Sequence, residues 1–132
     1  MDNIIEAHAL RAKITILLDE NLFMLKDGLK DAGLKVITIA SGTPDEKIIE
    51  LAEGLAILTK NSQDFLEDAV SGDFDVISVE GIKYLDTDKT RKNQTVKKII
   101  NAIRDSGLYL KKGHFNLIVK DDGSFHLKEL II

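Results

Sequence analysis

Short apolar runs that alternate with helix-forming segments constrain this chain most strongly. Strand-like runs rich in β-branched residues lie at residues 13–18, 35–39, 55–59 and 74–79, as expected for buried strands. Strands that alternate with helices indicate parallel strands joined by crossover helices. The pattern therefore predicts an α/β fold of three layers, with a mostly parallel central sheet flanked by helices.

The segments between these runs have helical spacing. In one of them Thr43, Pro44 and Glu46 fit an N-cap, a first helical position and the third residue of a capping box. Residues 81–92 are polar and are predicted to be irregular. The helices are predicted from about residue 22 to Gly33, from the Thr43 cap to residue 52, over residues 62–69, and around residues 96–103 with an end near Gly107.

The last part of the chain has a different pattern. Phe115, Leu117 and Val119 alternate with polar residues, and the alternation resumes at Phe125 after the turn at residues 121–124. Strict alternation around a glycine-containing turn is typical of a hairpin with one solvent-facing side. We therefore expect an antiparallel β-hairpin at one edge of the sheet.

Length and composition favour one domain. The chain has 132 residues, 44% of them apolar and none of them cysteine, so disulfides, thiol catalysis and cysteine-bound zinc are excluded. We expect a single domain over residues 1–132, with residues 1–12 as an extension or short helix. No apolar run approaches the roughly 20 residues needed to cross a bilayer, and residues 1–12 lack the apolar core of a secretory signal. We therefore expect a cytoplasmic protein without a membrane partner.

Charge is unevenly distributed along the chain. The net charge is −4, yet acidic residues predominate before residue 80 and basic residues after it. A basic stretch is suited to a polyanion such as RNA, although it is equally expected on the exposed side of a helix. Tyr84 and Tyr109 are the aromatic residues near it, which gives base stacking little support. The basic residues of this stretch are Lys83, Lys89, Arg91, Lys92, Lys97, Lys98, Arg104, Lys111 and Lys112.

Polar clusters follow the first three predicted strands. They are residues 19–21 (Asp-Glu-Asn), residues 45–46 (Asp-Glu) and residues 61–64 (Asn-Ser-Gln-Asp). Ligands of open α/β sheets bind beyond the carboxyl ends of the strands. If these strands are neighbours, the three clusters meet in one crevice.

Clustered carboxylates suit a hard cation such as Mg²⁺ or Mn²⁺. Such a cation clamps a phosphate and activates water for phosphodiester hydrolysis. Each residue also has a structural explanation, since Asp19 suits an N-cap and Asp45 and Glu46 suit the first turn of a helix. Asp64 lies near a helix start and is explained in the same way. The histidines, which are His8, His114 and His126, are too scattered to form a metal motif.

The order of three motifs resembles PIN-like domains. The motifs are Ile16–Leu22, Asp45–Ala52 and Leu58–Phe65, and the resemblance covers roughly residues 13–132. The most similar group consists of small prokaryotic PIN-like proteins that open with Asp-Glu-Asn. These proteins are related to the toxin ribonucleases of type II toxin–antitoxin pairs.

The resemblance implies an endoribonuclease that depends on Mg²⁺ or Mn²⁺. Asp19, Asp45 and Asn61 would be the metal ligands, and Asp64 would join them in the catalytic set. Thr59 would support the strand end. RNA would be the substrate, steered by Lys60 or the basic stretch, and the expected partners are an antitoxin-type protein and a second copy of the chain.

The chain also departs from the family pattern. Asn61 is neutral where an acidic ligand is common, and a fourth acidic position is not evident, with Asp73 and Asp75 as the candidates. These departures leave open a catalytically inactive PIN-like module that binds RNA or a protein. A receiver-like signalling domain is a third interpretation, but it needs a phosphoaccepting aspartate at the end of strand three, about where Asn61 stands.

Overall fold

The computed structural model of the chain contains one six-stranded sheet in its described residues. Residues 15–40, 42–52, 55–60, 65–72, 74–80, 89–108 and 114–130 are described, so the predicted N-terminal extension lies outside them. The strands are β1 Thr15–Leu18, β2 Lys35–Thr38, β3 Ala56–Thr59, β4 Asp75–Glu80, β5 Phe115–Lys120 and β6 Phe125–Glu129. They lie in the order β2-β1-β3-β4-β5-β6, and every neighbouring pair is parallel except β5 and β6. The predicted parallel sheet with an antiparallel edge hairpin is confirmed.

Helices cover both faces of the sheet. They are a 3₁₀ helix at Glu20–Leu25, α1 Lys26–Asp31, α2 Asp45–Ala52, α3 Leu66–Gly72 and α4 Lys89–Ser106. One buried cluster joins the 3₁₀ helix, α1 and α4 to one face of the sheet. A second joins α2 and α3 to the other face. The result is a three-layer α/β fold.

The connections place a crevice between β1 and β3. The chain leaves β1 through α1 on one face, whereas it leaves β3 through α3 on the opposite face. Adjacent strands whose connections leave on opposite faces define the topological switch point of a doubly wound sheet, where ligands bind. Leu18 is level with both Thr38 and Leu58, so the carboxyl ends of β1, β2 and β3 coincide.

The first predicted helix is two elements. A 3₁₀ helix begins directly after Asp19, and Leu22 within it has non-helical dihedral angles (φ −117°, ψ 17°). Its buried residues, Leu22 and Leu25, are three apart, which is the spacing that aligns side chains on a 3₁₀ helix. The following α1 ends before Gly33, whose φ of 98° confirms the predicted stop.

The predicted capping box is wrong in its details. The helix begins at Asp45, and the Pro44 carbonyl accepts the first helical hydrogen bond from Ile48 N at 3.1 Å. Thr43 lies one residue too early to cap it. Its hydroxyl instead donates to Ala40 O at 2.6 Å and closes the preceding turn.

Two other helix boundaries differ from the prediction. Helix α3 continues to Gly72 rather than ending at residue 69. Helix α4 begins at Lys89, inside the stretch predicted to be irregular. Its first turns are polar, so the apolar spacing used for the prediction does not mark this helix start. Arg91 in these turns pairs with Asp121 of the hairpin turn at 3.4 Å.

The C-terminal hairpin has the predicted strands and turn. Gly123 adopts φ 89° in the turn, and Leu117 and Val119 are fully buried. Asn116 was expected on the solvent-facing side but is only 3% exposed. In the described part of the chain, no helix combines the length and apolar character needed to span a membrane.

Candidate functional site

Asp19 lies at the switch point. Its backbone N–H donates to Leu58 O at 3.1 Å, which extends the β1–β3 pairing by one residue. It caps the 3₁₀ helix, but the contact from Asn21 N to its Oδ1 is long at 3.5 Å. A hydrogen bond of that length is weak. Asp19 therefore caps the helix, but this weak contact only partly accounts for the presence of an aspartate at this position.

Thr59 holds the other carboxylate oxygen. Its hydroxyl donates to Asp19 Oδ2 at 2.8 Å, and Thr59 itself is completely buried. A buried donor of this kind fixes the orientation of a half-buried carboxylate. The predicted supporting role of Thr59 at the strand end thus has a defined contact.

The other expected ligands are only partly described. The backbone of Asp45 begins α2, which follows the end of β2 at the same edge of the sheet. Asn61 and Asp64 lie outside the described residues. The strand ends that carry the three predicted clusters are therefore neighbours, as expected.

The acidic residues of β4 fall at opposite ends of the strand. Asp75 lies at the amino end, where its Oδ1 accepts a hydrogen bond from Phe115 N at 2.9 Å. It therefore connects β4 to β5 and is remote from the crevice, and Asp73 lies outside the described residues. Glu80 is the last residue of β4, next to the carboxyl end of β3. Glu80 was not among the predicted site residues, although it directly follows a predicted strand.

A second polar contact lies deeper in the sheet. Ser78 Oγ donates to Asn116 Oδ1 at 2.9 Å, and both residues are buried. Ser78 on β4 is level with Thr59 on β3. The sequence did not predict this pair, because a contact between two strands cannot be read from either strand alone and Asn116 alternates with apolar residues in the hairpin.

The basic residues of α4 are divided between two roles. Arg91 and Lys98 both pair with Asp121, and Lys98 Nζ also donates to Asp121 O. These two cations attach the hairpin turn to the helix. Lys89 and Lys97 are exposed on the same helix and remain candidates for contacting a polyanion.

An exposed aromatic residue lies close to Asp19 along the chain. Phe23, in the 3₁₀ helix, is 57% exposed, and Lys26 Nζ lies over its ring at 5.4 Å from the centroid. Phe23 was not among the aromatic residues considered for base stacking, which were Tyr84 and Tyr109. Its sequence neighbours Glu20, Asn21 and Asp27 are exposed polar residues.

The donor set suits a hard cation. Asp19 offers carboxylate oxygens, and Thr59 orients that carboxylate without competing charge. Among the described side chains, no group of three or more histidines, cysteines or carboxylates gathers at one point. The other ligands expected from the sequence are Asp45 and Asn61, with Asp64 beside them.

Fold and site together define a doubly wound α/β protein with an oriented carboxylate at its switch point. Comparison with known proteins gives no match among family models, curated proteins or solved structures.

Proposed function

We propose that this chain is a PIN-like endoribonuclease that depends on Mg²⁺ or Mn²⁺ and acts as the toxin of a toxin–antitoxin pair. The hydrogen bond from buried Thr59 to Asp19 at the switch point is the observation that carries the proposal. It is the arrangement expected of a ligand carboxylate held in a fixed orientation. The antitoxin-type partner and the homodimer belong to the same proposal through the resemblance, and a cytoplasmic location is proposed with them.

The proposed cation would be held by Asp19, Asp45 and Asn61, with Asp64 orienting that set. When bound, it supplies charge stabilisation to a phosphate and lowers the pKa of water. Asp19 contributes a carboxylate whose rotation is limited by Thr59.

RNA would be contacted by residues around the same edge of the sheet. Lys60 is exposed directly after β3, and Lys89 is exposed at the start of α4. Both cations would contact phosphates of the bound RNA in this proposal. Phe23 offers an exposed ring that an unpaired base can stack on.

The test is cleavage of RNA in the presence of Mn²⁺ or Mg²⁺ by the wild type and by Asp19→Asn and Asp45→Asn. We expect both variants to lose cleavage, because each loses a ligand charge. Asp31→Asn is the matched control, since Asp31 is an exposed carboxylate on α1, and it should cleave like the wild type. Equal activity of the wild type and both site variants contradicts the proposal.

The second candidate is a catalytically inactive PIN-like module that binds RNA or a protein partner. The neutral side chain of Asn61 favours it, because one ligand charge is missing. This module would bind RNA in a salt-sensitive manner without cleaving it, whichever metal is added. The same cleavage experiment, paired with a binding measurement, separates the two candidates.

A receiver-like signalling domain has less support. The first five strands have the 2-1-3-4-5 order of flavodoxin-like folds, which receiver domains share. However, β3 ends at Thr59 and is followed by Lys60 and Asn61. The phosphoaccepting carboxylate that this interpretation requires is missing from the end of the strand.

A further inference from the structure

A cavity of about 270 Å³ lies between α1 and α4. Its first wall consists of Met24, Asp27, Gly28 and Asp31. These residues follow one another at helical spacing along the 3₁₀ helix and α1, so they lie on one side of that segment. Asp27 and Asp31 are exposed, whereas Met24 is half-buried and packs against the apolar core. This wall therefore combines two carboxylates with apolar surface.

The second wall carries the opposite charge. It consists of Lys89, Lys92, Asn93 and Val96, which repeat the same spacing in the first two turns of α4. Val96 belongs to the apolar core and Lys92 is half-buried, while Lys89 and Asn93 are exposed. Two lysines and two aspartates thus line opposite walls of one cavity.

The charges of the two walls do not pair with one another. Within the described ranges, no ion pair joins either aspartate to either lysine. On another side of α4, by contrast, Arg91 and Lys98 both pair with Asp121. A lysine ammonium group only donates hydrogen bonds and an ionised carboxylate only accepts them, so each wall is available to the complementary group of a ligand.

The charge pattern selects one class of ligand. A simple anion is attracted by the lysines but repelled by the aspartates, and a simple cation meets the reverse. A zwitterion suits both walls, because its ammonium group donates to carboxylates while its carboxylate accepts from ammonium groups. The cavity volume of about 270 Å³ equals that of about nine water molecules at roughly 30 Å³ each. This is just below the usual range for drug-sized ligands, roughly 300–1,000 Å³, so the ligand is small.

The apolar part of the cavity indicates the rest of the ligand. The two helices touch at Gly28, where an added Cβ would lie 2.8 Å from Val96 Cγ2. Val96 is only 8% exposed, and Met24 packs against the same core cluster. These residues offer apolar surface that an aliphatic side chain can cover.

We propose that the cavity between α1 and α4 binds a small zwitterion, an α-amino acid with an aliphatic side chain. The two aspartates bind its ammonium group, the two lysines bind its carboxylate, and the apolar surface contacts its side chain. The site uses neither the proposed cation nor RNA. This inference therefore goes beyond the proposed nuclease and does not depend on it.

The first test is an NMR titration of the wild type with leucine, in the absence of metal and RNA. Isocaproate, which is leucine without its amino group, and isoamylamine, which is leucine without its carboxylate, are the matched probes. We expect leucine to bind about 3- to 10-fold more tightly than either, as expected for one or two exposed ion pairs. The amide resonances that move should belong to α1 and the first turns of α4.

Three outcomes of this titration overturn the proposal. They are no binding of leucine, equal affinity for leucine and either analogue, and resonance shifts that lie outside the two helices. Leucine with an acetylated amino group and an amidated carboxyl group is a fourth probe, which resembles a peptide. If it binds as tightly as free leucine, the ligand is a peptide segment and not a zwitterion.

Variants of each wall test the roles of the charges. With Asp27→Asn and Asp31→Asn combined, leucine and isocaproate should bind equally, because the ammonium group has lost its partners. Lys92→Gln should instead reduce the preference for leucine over isoamylamine. Unchanged preferences in these variants contradict the assigned roles, whatever their effect on stability.

A matched pair of variants tests the cavity itself. Asn93→Trp places a large side chain in the cavity and should abolish leucine binding. Gln94→Trp makes the same change at the next residue, which is exposed on α4 outside the cavity, and should bind leucine like the wild type. Thermal unfolding of both variants verifies that they are folded. Leucine binding by folded Asn93→Trp at the wild-type affinity overturns the proposal.

Discussion

Asp19 shows how one side chain serves two purposes. Its Oδ1 caps a 3₁₀ helix through a long contact, while its Oδ2 accepts a short hydrogen bond from Thr59. Asparagine keeps a single acceptor oxygen, so Asp19→Asn can retain one of these two hydrogen bonds and loses the charge as well. Thermal unfolding of Asp19→Asn, measured beside its cation binding, separates the loss of charge from a loss of stability.

Phe23 provides a prediction about RNA. Replacing Phe23 by Leu keeps an apolar side chain but removes the aromatic face, so we expect RNA binding to weaken by about 1–3 kcal/mol, the usual value of one base stack. The measurement is quenching of a fluorescent base analogue in a single-stranded RNA, with metal chelated so that cleavage does not interfere. Phe23→Trp should restore the quenching, and equal quenching by Phe23→Leu and the wild type would rule out stacking.

Asp122 provides a prediction about pH. The Ser124 hydroxyl and then the Ser124 backbone N–H donate to its carboxylate and hold the pKa of Asp122 below its usual range. Because the folded-state pKa is the lower one, this contribution to stability is present above the unfolded-state pKa and is lost as the pH falls through the folded-state value. We expect Ser124→Ala to raise the pKa of Asp122 towards its usual range, measured by NMR titration. An unchanged titration would show that the hydroxyl contributes nothing.

At the scale of the elements, Gly28 on α1 packs against Val96 on α4. A Cβ built on Gly28 would lie 2.8 Å from Val96 Cγ2, and the branched valine side chain has little freedom to move away within a helix. We expect Gly28→Ala to destabilise the protein by about 1–3 kcal/mol through overpacking, despite the better helix propensity of alanine. Denaturant unfolding measures it.

A second variant separates sterics from propensity at this helix contact. In a Val96→Ala background the clash is absent, so Gly28→Ala should become neutral or stabilising by up to about 1 kcal/mol. The same destabilisation in both backgrounds would mean that Val96 is not the cause.

Local periodicity predicted most elements, and its failures have physical reasons. The predicted strands and hairpin are confirmed, because buried β-branched runs and strict alternation are local signals. The start of α4 was missed because its first six residues, from Lys89 onwards, are all polar and carry no apolar spacing. The non-helical dihedral angles at Leu22 could not be predicted either, because its apolar spacing fits both a 3₁₀ helix and an α-helix.

For the whole molecule, the sequence predicted the edge of the sheet on which the polar clusters lie, but not the partners within it. Asp19 and Thr59 could be placed at strand ends from their neighbours in the chain. Their hydrogen bond depends on β1 and β3 being adjacent, which follows from the connections and not from either strand alone. Asn116 was assigned to solvent because the pattern cannot show what covers a strand face.

For the cation site proposed above, the contact between Asp19 and Thr59 would also link ligand binding to folding. It joins residues 40 apart in sequence, with β2 and its two connections between them. A chain in which β3 has not docked beside β1 lacks this contact, so a cation that needs the oriented carboxylate would bind the native state and not such partly folded chains. A ligand of this kind would stabilise the whole fold by mass action.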